Sequence, residues 1–134
     1  MDDDHEEVKE SSFKLRGRML LLDQGVRVPG TASGQISEVH YELPRRLLAA
    51  KPDEVGTVVW LRWNREAKGR YRRSGNAYMV RCEAFVIDPS QPAVVARQEF
   101  SGGPPPGSAP AGKDGYGSMP TQQIVDFLSS LPRE

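Results

Sequence analysis

The chain has 134 residues, 37% of them hydrophobic, and its 18 basic and 18 acidic side chains give a formal net charge of zero. That length fits one domain able to bury a core without staples, and the zero charge argues against a protein that coats nucleic acid through a general basic surplus. A single cysteine, Cys82, excludes a disulfide framework; with no basic-then-apolar leader and no apolar run near the ~20 residues of a membrane span, a cytoplasmic protein that avoids membranes is expected.

Residues 1–12 open the chain with Asp2, Asp3, Asp4, Glu6, Glu7 and Glu10 against Lys9 alone. Such a segment cannot bury enough apolar surface to offset its ordering entropy, so a disordered acidic tail is expected. Residues 13–100 read as a β-rich domain. Phe13–Asp23 predicts a first strand, with Leu15, Met19 and Leu21 on one face and Gly17 marking a bulge or a close backbone approach. Gln24–Gly34 is a turn-rich connection, and Gln35–Leu43 predicts a second strand through Ile36, Val39 and Tyr41. A short helix is expected over Pro44–Ala50, because Pro44 suits a first helical position, Pro52 ends the turn, and Leu43, Leu47 and Leu48 share a face.

Val55–Trp63 is β-branched and aromatic almost throughout, and apolar on both faces, which predicts a central strand. Asn64–Gly69 then reads as a polar hairpin loop and Gly69–Arg73 as a short strand. Ser74–Asn76 turns the chain into Ala77–Asp88, where Tyr78, Val80, Cys82, Ala84 and Val86 alternate with Met79, Arg81, Glu83, Phe85 and Ile87. Pro89–Pro92 turns again, and Ala93–Phe100 closes the sheet. Short connections between consecutive strands predict an antiparallel meander. Residues 101–118, with six glycines, four prolines and three serines, predict a flexible loop or spacer. Within 119–134, Ile124, Phe127, Leu128 and Leu131 fall at i, i+3, i+4 and i+7, the single stripe of an amphipathic helix capped by Thr121 or Ser118 and stopped by Pro132. The expected fold is α+β: a curved antiparallel sheet of about six strands, a short helix, and a C-terminal helix packing on the domain.

Reactive groups are sparse. His5 lies in the acidic tail, which leaves His40 as the one candidate imidazole base, on an expected strand beside Tyr41 and Glu42. Cys82 sits mid-strand between apolar neighbours, where a thiol behaves as a small inert apolar group. No nucleophile-elbow, phosphate-loop or zinc-protease pattern is present, and the Cys/His inventory is too small for a zinc site. Glu83 and Glu99 would serve acid–base chemistry only beside a cleft the sequence does not require. No catalytic, cofactor-binding or metal-ligating residue is therefore assigned, and no enzyme is expected.

Two segments point to binding instead. From Trp60 to Arg73, "WLRWNREAKGRYRR" holds six bases, one acid and three aromatics. Exposed aromatics beside arginines are what single-stranded nucleic acid uses for stacking and phosphate contact, so Trp60, Arg62, Arg70, Arg72 and Arg73 are the candidate nucleic-acid contacts. By strand parity Trp60 and Arg62 share one face, and Val59, Leu61 and Trp63 the other. The second segment is the tail: Ile124, Phe127, Leu128 and Leu131 can dock on a protein partner or on this chain's own sheet.

The segments "ISEVHYELPRRLLA", "EVGTVVWLRW", "VRCEAFVID", the "SGG" and "PPP" of the tail and "IVDFLSSLP" together resemble a recurrent family of small bacterial β-rich domains, over roughly residues 15–132. The resemblance implies a bacterial source and a self-contained unit, and brings no activity, cofactor or site residue with it. The leading expectation is a non-enzymatic protein-interaction or accessory module; the alternative is single-stranded nucleic-acid binding through 60–73.

Overall fold

A computed structural model of the chain describes residues 16–72, 75–90 and 92–132. The acidic tail, Phe13–Leu15, Arg73 and Ser74 lie outside the described residues, and Gly75 and Asn76 of the expected turn Ser74–Asn76 belong to β3. Among the described residues, five strands make one open, mostly antiparallel sheet: β1 (Arg18–Gly25), β2 (Val55–Tyr71), β3 (Gly75–Asp88), β4 (Ala93–Ser101) and β5 (Gly115–Tyr116). Their order is β1-β2-β3-β4, with β5 pairing β3 beyond the end of β4. Among the described residues, one α-helix, α1 (Thr121–Ser130), accompanies the sheet.

The centre of the sheet follows the alternation in the sequence. β2 lies between β1 and β3, and its Val59, Leu61 and Trp63 are buried, as are Val80, Cys82, Ala84 and Val86 of β3. From β1, Met19 and Leu21 join the same core, and Ala96 and Phe100 of β4 close it at one side. Covering this face are Val28, Val39, Leu43 and Leu47 of the chain between β1 and β2, and Ile124, Val125 and Leu128 of α1.

Three expectations about the first half are corrected. The sheet is not a pure meander, because β1 runs parallel to β2, from Arg18 opposite Val55 to Gly25 opposite Trp63. A parallel pair needs a long crossover to carry the chain back to the start of the sheet, and residues 26–54 supply it. Within that crossover the expected strand Gln35–Leu43 is a 3-10 turn, Glu38–Glu42, which Ser37 caps by accepting from the Val39 N–H. Val39 and His40 point inward from it while Ile36 and Tyr41 are exposed, so Ile36, Val39 and Tyr41 do not share a buried face. The expected helix Pro44–Ala50 is a single turn closed by Leu47 N–H to Pro44 C=O at 2.8 Å. Pro44 and Pro52 frame too few residues for a helix, and the chain is drawn out instead to pair with β1 at Leu48.

The second half differs in two ways. Asn64–Gly69 is not a loop: β2 runs unbroken for 17 residues to Tyr71, because β3 supplies partners as far as Gly75. One irregularity, between Ala67 and Gly69, places Lys68 as an extra residue. The stretch 101–118, expected to be a flexible loop, is bonded to the sheet. Gly102 N–H donates to Val80 C=O at 2.8 Å, Gly117 N–H to Tyr78 C=O at 2.9 Å, and β5 pairs Ala77 and Tyr78. Several of its glycines are close-packing residues: a Cβ on Gly102 would meet the Ser118 carbonyl and one on Gly117 the Gly103 carbonyl, and across the contact a Cβ on Gly75 of β3 would meet the Lys113 carbonyl. The composition that lowers burial thus also lets one backbone lie directly on another. Pro120, not Thr121 or Ser118, stands at the N-cap of α1, and no side chain caps it.

Candidate interaction surface

The two faces of the sheet differ in cover. β1, β2, β3 and β4 turn Leu20 and Leu22, Val58, Trp60 and Arg62, Phe85 and Ile87, and Val94 to the face opposite the core. Trp60 stands opposite Phe85, Val58 opposite Ile87, and Ile87 opposite Val94. The large apolar side chains here are half-buried by one another, and Val94 is 42% exposed. Among the described residues no helix or strand lies over them. Gln24, Gly25, Trp60, Arg62, Phe85, Ile87 and Val94 line a shallow groove of about 560 Å³.

Towards the hairpin arm the same face becomes a charge ladder. Arg81 bonds Glu66 and Glu99, both at 3.2 Å; Arg97 bonds Glu83 at 3.4 Å and lies 5.8 Å from the Phe85 ring centre. Lys68 reaches Glu66 at 3.3 Å. The bases on this face therefore alternate with acids, and the net field over it is small. Arg81 spends its two terminal nitrogens on these carboxylates, and its buried Nε has no partner.

This geometry divides the residues singled out in 60–73. Trp60 and Arg62 sit together on the open face, and Trp63 is 1% exposed in the core. The Trp63 indole N–H donates to Asp23 Oδ1 at 2.8 Å, and Asp23 Oδ2 accepts from the Ala32 N–H at 3.3 Å. Arg70 and Arg72 are not with Trp60. Lys68 adds one residue to the strand, and a one-residue slip moves every later side chain to the other side. Arg70 stands opposite Asn76, ten positions along β2 from Trp60, or roughly 33 Å of strand, and by register it is on the opposite side of the arm. Trp60, Arg62, Arg70 and Arg72 therefore do not form the single stacking platform expected of them. Arg65 is held by its own chain: its ring neighbour Tyr78 lies 4.5 Å away, and it donates to the Tyr116 hydroxyl at 2.9 Å, which raises its already high pKa. Tyr71 is half-buried rather than in the core, and its hydroxyl donates to Pro106 C=O at 2.7 Å.

The tail residues are placed as clearly. Ile124 and Leu128 are 0% exposed in the core of this chain, Phe127 stacks edge-on against Phe100 at 5.6 Å, and Leu131 packs at the margin. A partner could take this stripe only by unpacking the domain.

His40 and Cys82 occupy structural positions. The His40 ring is buried between the crossover and β1, where Nδ1 accepts from the Leu21 N–H at 3.4 Å and Nε2 donates to Ala49 C=O at 3.3 Å. Desolvation lowers its pKa, opposed by the bond to Ala49. Both ring nitrogens are thus engaged with the backbone. Burial pushes the Cys82 thiol far above its ordinary range, with the charges of Asp23 and Glu83 adding to the rise; a thiol so held is not a nucleophile. Glu83 and Glu99 face each other across β3 and β4 and line one concavity of about 350 Å³ with Arg62, Asn64 and Arg81, but each carboxylate is tied to an arginine there. Sequence reasoning found Trp60 and Arg62 but missed Phe85, Ile87 and Val94 as their neighbours. The alternation in β3 held that signal, since Phe85 and Ile87 share the parity opposite to the core.

Among the described residues, no three His, Cys, Asp or Glu side chains are grouped to hold a metal, and no helix is long and apolar enough to cross a membrane. No family model, curated protein or solved structure matches the chain.

Proposed function

We propose that this chain is a non-enzymatic protein-interaction module, and that its partner sits on the open face of the sheet around Trp60, Phe85, Ile87 and Val94. The observation that carries this reading is one continuous apolar strip across four strands with no cover among the described residues. Such a strip, rimmed by charges, is the usual composition of a protein-binding patch, with an aromatic anchor at its centre. Trp60 is that anchor and Arg62 its flanking polar contact. The ladder of Glu66, Arg81, Glu83, Arg97 and Glu99 favours a protein over a nucleic acid, because acids stand among the bases where phosphates would have to lie.

The test pairs two assays on the full chain. Affinity capture from cells is run with the wild type, with Trp60→Glu, and with Arg70→Glu/Arg72→Glu. In parallel, fluorescence polarisation measures single-stranded RNA and DNA binding at low and moderate salt. The reading expects proteins retained by the wild type and by the arginine variant, and lost with Trp60→Glu, with no salt-sensitive nucleic-acid binding. Nucleic-acid binding at low salt that disappears in the arginine variant would replace it with the stacking alternative.

A further inference from the structure

The two edges of the sheet are treated differently. Along β1 the outward edge is sealed by the chain's own crossover. Met19 N–H donates to Leu47 C=O at 2.7 Å and Ala49 N–H to Met19 C=O at 2.9 Å; Ser37 N–H reaches Leu21 C=O and Asp23 N–H reaches Gln35 C=O, both at 2.9 Å. His40 Nδ1 takes the Leu21 N–H between them. At the other side β4 is the last strand: over nine residues it pairs with β3 and with no other described strand. An unpaired edge is a template for another strand. Proteins that keep such an edge monomeric place charges on it that repel a second copy. The charges on β4 do the reverse.

From this pattern we propose that β4 pairs antiparallel with β4 of a second copy, about a two-fold axis through Gln98. The register follows from strand geometry. Side chains alternate faces along a strand, so a two-fold axis perpendicular to the sheet must pass through a residue and not between two residues. An axis at Arg97 sets Arg97 against its own copy, and an axis at Glu99 sets two carboxylates together; both place like charges directly opposite. An axis at Gln98 sets Arg97 of each copy opposite Glu99 of the other, on the same face. It also sets the small Ala96 opposite the large Phe100, and Gln98 opposite Gln98, where two amides can bond each other. Gln98 itself is otherwise out of place: it has the parity of buried Ala96 and Phe100, yet it is exposed.

The β3–β4 pair adds a reason for the second copy. Glu83 and Glu99 are directly opposite each other; Glu83 has Arg62 of β2 on its other side and bonds the diagonal Arg97, whereas Glu99, on the edge strand, bonds the diagonal Arg81. Arg97 of a second copy would stand opposite Glu99 on its other side and relieve that like-charge pair. The product is a continuous sheet through both copies, with the open face of each still available. The β4 edge is separate from the face that carries Trp60, so pairing at the edge does not depend on what binds the face.

Sedimentation velocity of the full chain over a rising concentration series tests it. The wild type is expected to show a reversible monomer–dimer equilibrium. Arg97→Glu alone and Glu99→Arg alone each place like charges at two symmetric positions, and each should weaken dimerisation by roughly tenfold or more. An equimolar mixture of the two variants should form a heterodimer again, because the two glutamates of one then face the two arginines of the other. That recovery cannot come from a folding defect in either variant, and circular dichroism of each confirms the sheet. Trp60→Glu should leave the equilibrium unchanged, which separates the edge from the face. A wild type that stays monomeric throughout, single variants that dimerise as tightly as the wild type, or a mixture that stays monomeric would each overturn the proposal.

Discussion

Acidification should weaken the fold through His40, and the size of the effect follows from its two bonds. Nδ1 accepts from the Leu21 N–H and Nε2 donates to Ala49 C=O, which is the neutral Nε2–H tautomer. Protonation would put a second hydrogen on Nδ1, facing the Leu21 N–H, so one buried bond is lost and two donors meet. Leaving a buried donor unpaired costs about 1–3 kcal/mol. Because the folded pKa is lowered from 6.5, the unfolded chain takes up the proton first as pH falls. Stability is therefore complete above about pH 6.5 and declines below it, with a slope approaching about 1.4 kcal/mol per pH unit until the folded imidazole also protonates. His40→Ala removes the titration and leaves the Leu21 N–H unpaired at every pH. Urea midpoints at steps from pH 8 to pH 5 should show the variant less stable by about 1–3 kcal/mol at the alkaline end, the gap closing towards pH 5. A gap that stays constant with pH, or a wild type that gains stability on acidification, would refute this account of the ring.

Trp63→Ala should cost about 3–5 kcal/mol in urea unfolding, because the indole is 1% exposed and bonded to Asp23, while Trp60→Glu on the open face should cost about 1 kcal/mol or less. Asp23→Ala leaves the Trp63 and Ala32 N–H groups without their acceptor and should lower stability by about 1–3 kcal/mol, read as a reduced thermal midpoint. Truncation at Ser101 should unfold the sheet instead of releasing an intact domain, since it removes Ile124, Val125 and Leu128 from the core and β5 from β3; loss of near-ultraviolet dichroism would report it. Cys82 should resist alkylation in the native protein and react at the rate of a free thiol in urea.

The parts of this fold that could be read in the sequence are those whose signal is local. The two-residue alternation of Val80, Cys82, Ala84 and Val86 named the core face of β3, and the apolar content of Val55–Trp63 named the central strand. The spacing of Ile124, Phe127, Leu128 and Leu131 named α1. What could not be read depends on distant partners. Ile36, Val39 and Tyr41 suggest a strand, yet the side chain of Ser37 caps a 3-10 turn there. The parallel register of β1 with β2 leaves no trace in either segment. Lys68 as an extra residue is visible only once β3 is laid beside β2, and that single residue parts Arg70 and Arg72 from Trp60. The glycines at 102, 115 and 117 look like spacer in composition and act as close contacts in the structure.

Site-specific photo-crosslinking from the centre of the open face tests the central claim most directly. A photoreactive phenylalanine analogue replaces Trp60 in the full chain, and a control carries it at Asp126 on the exposed side of α1. The account predicts a discrete cross-linked protein product from position 60 that is absent from position 126. No product at position 60, or the same products from both positions, would contradict it.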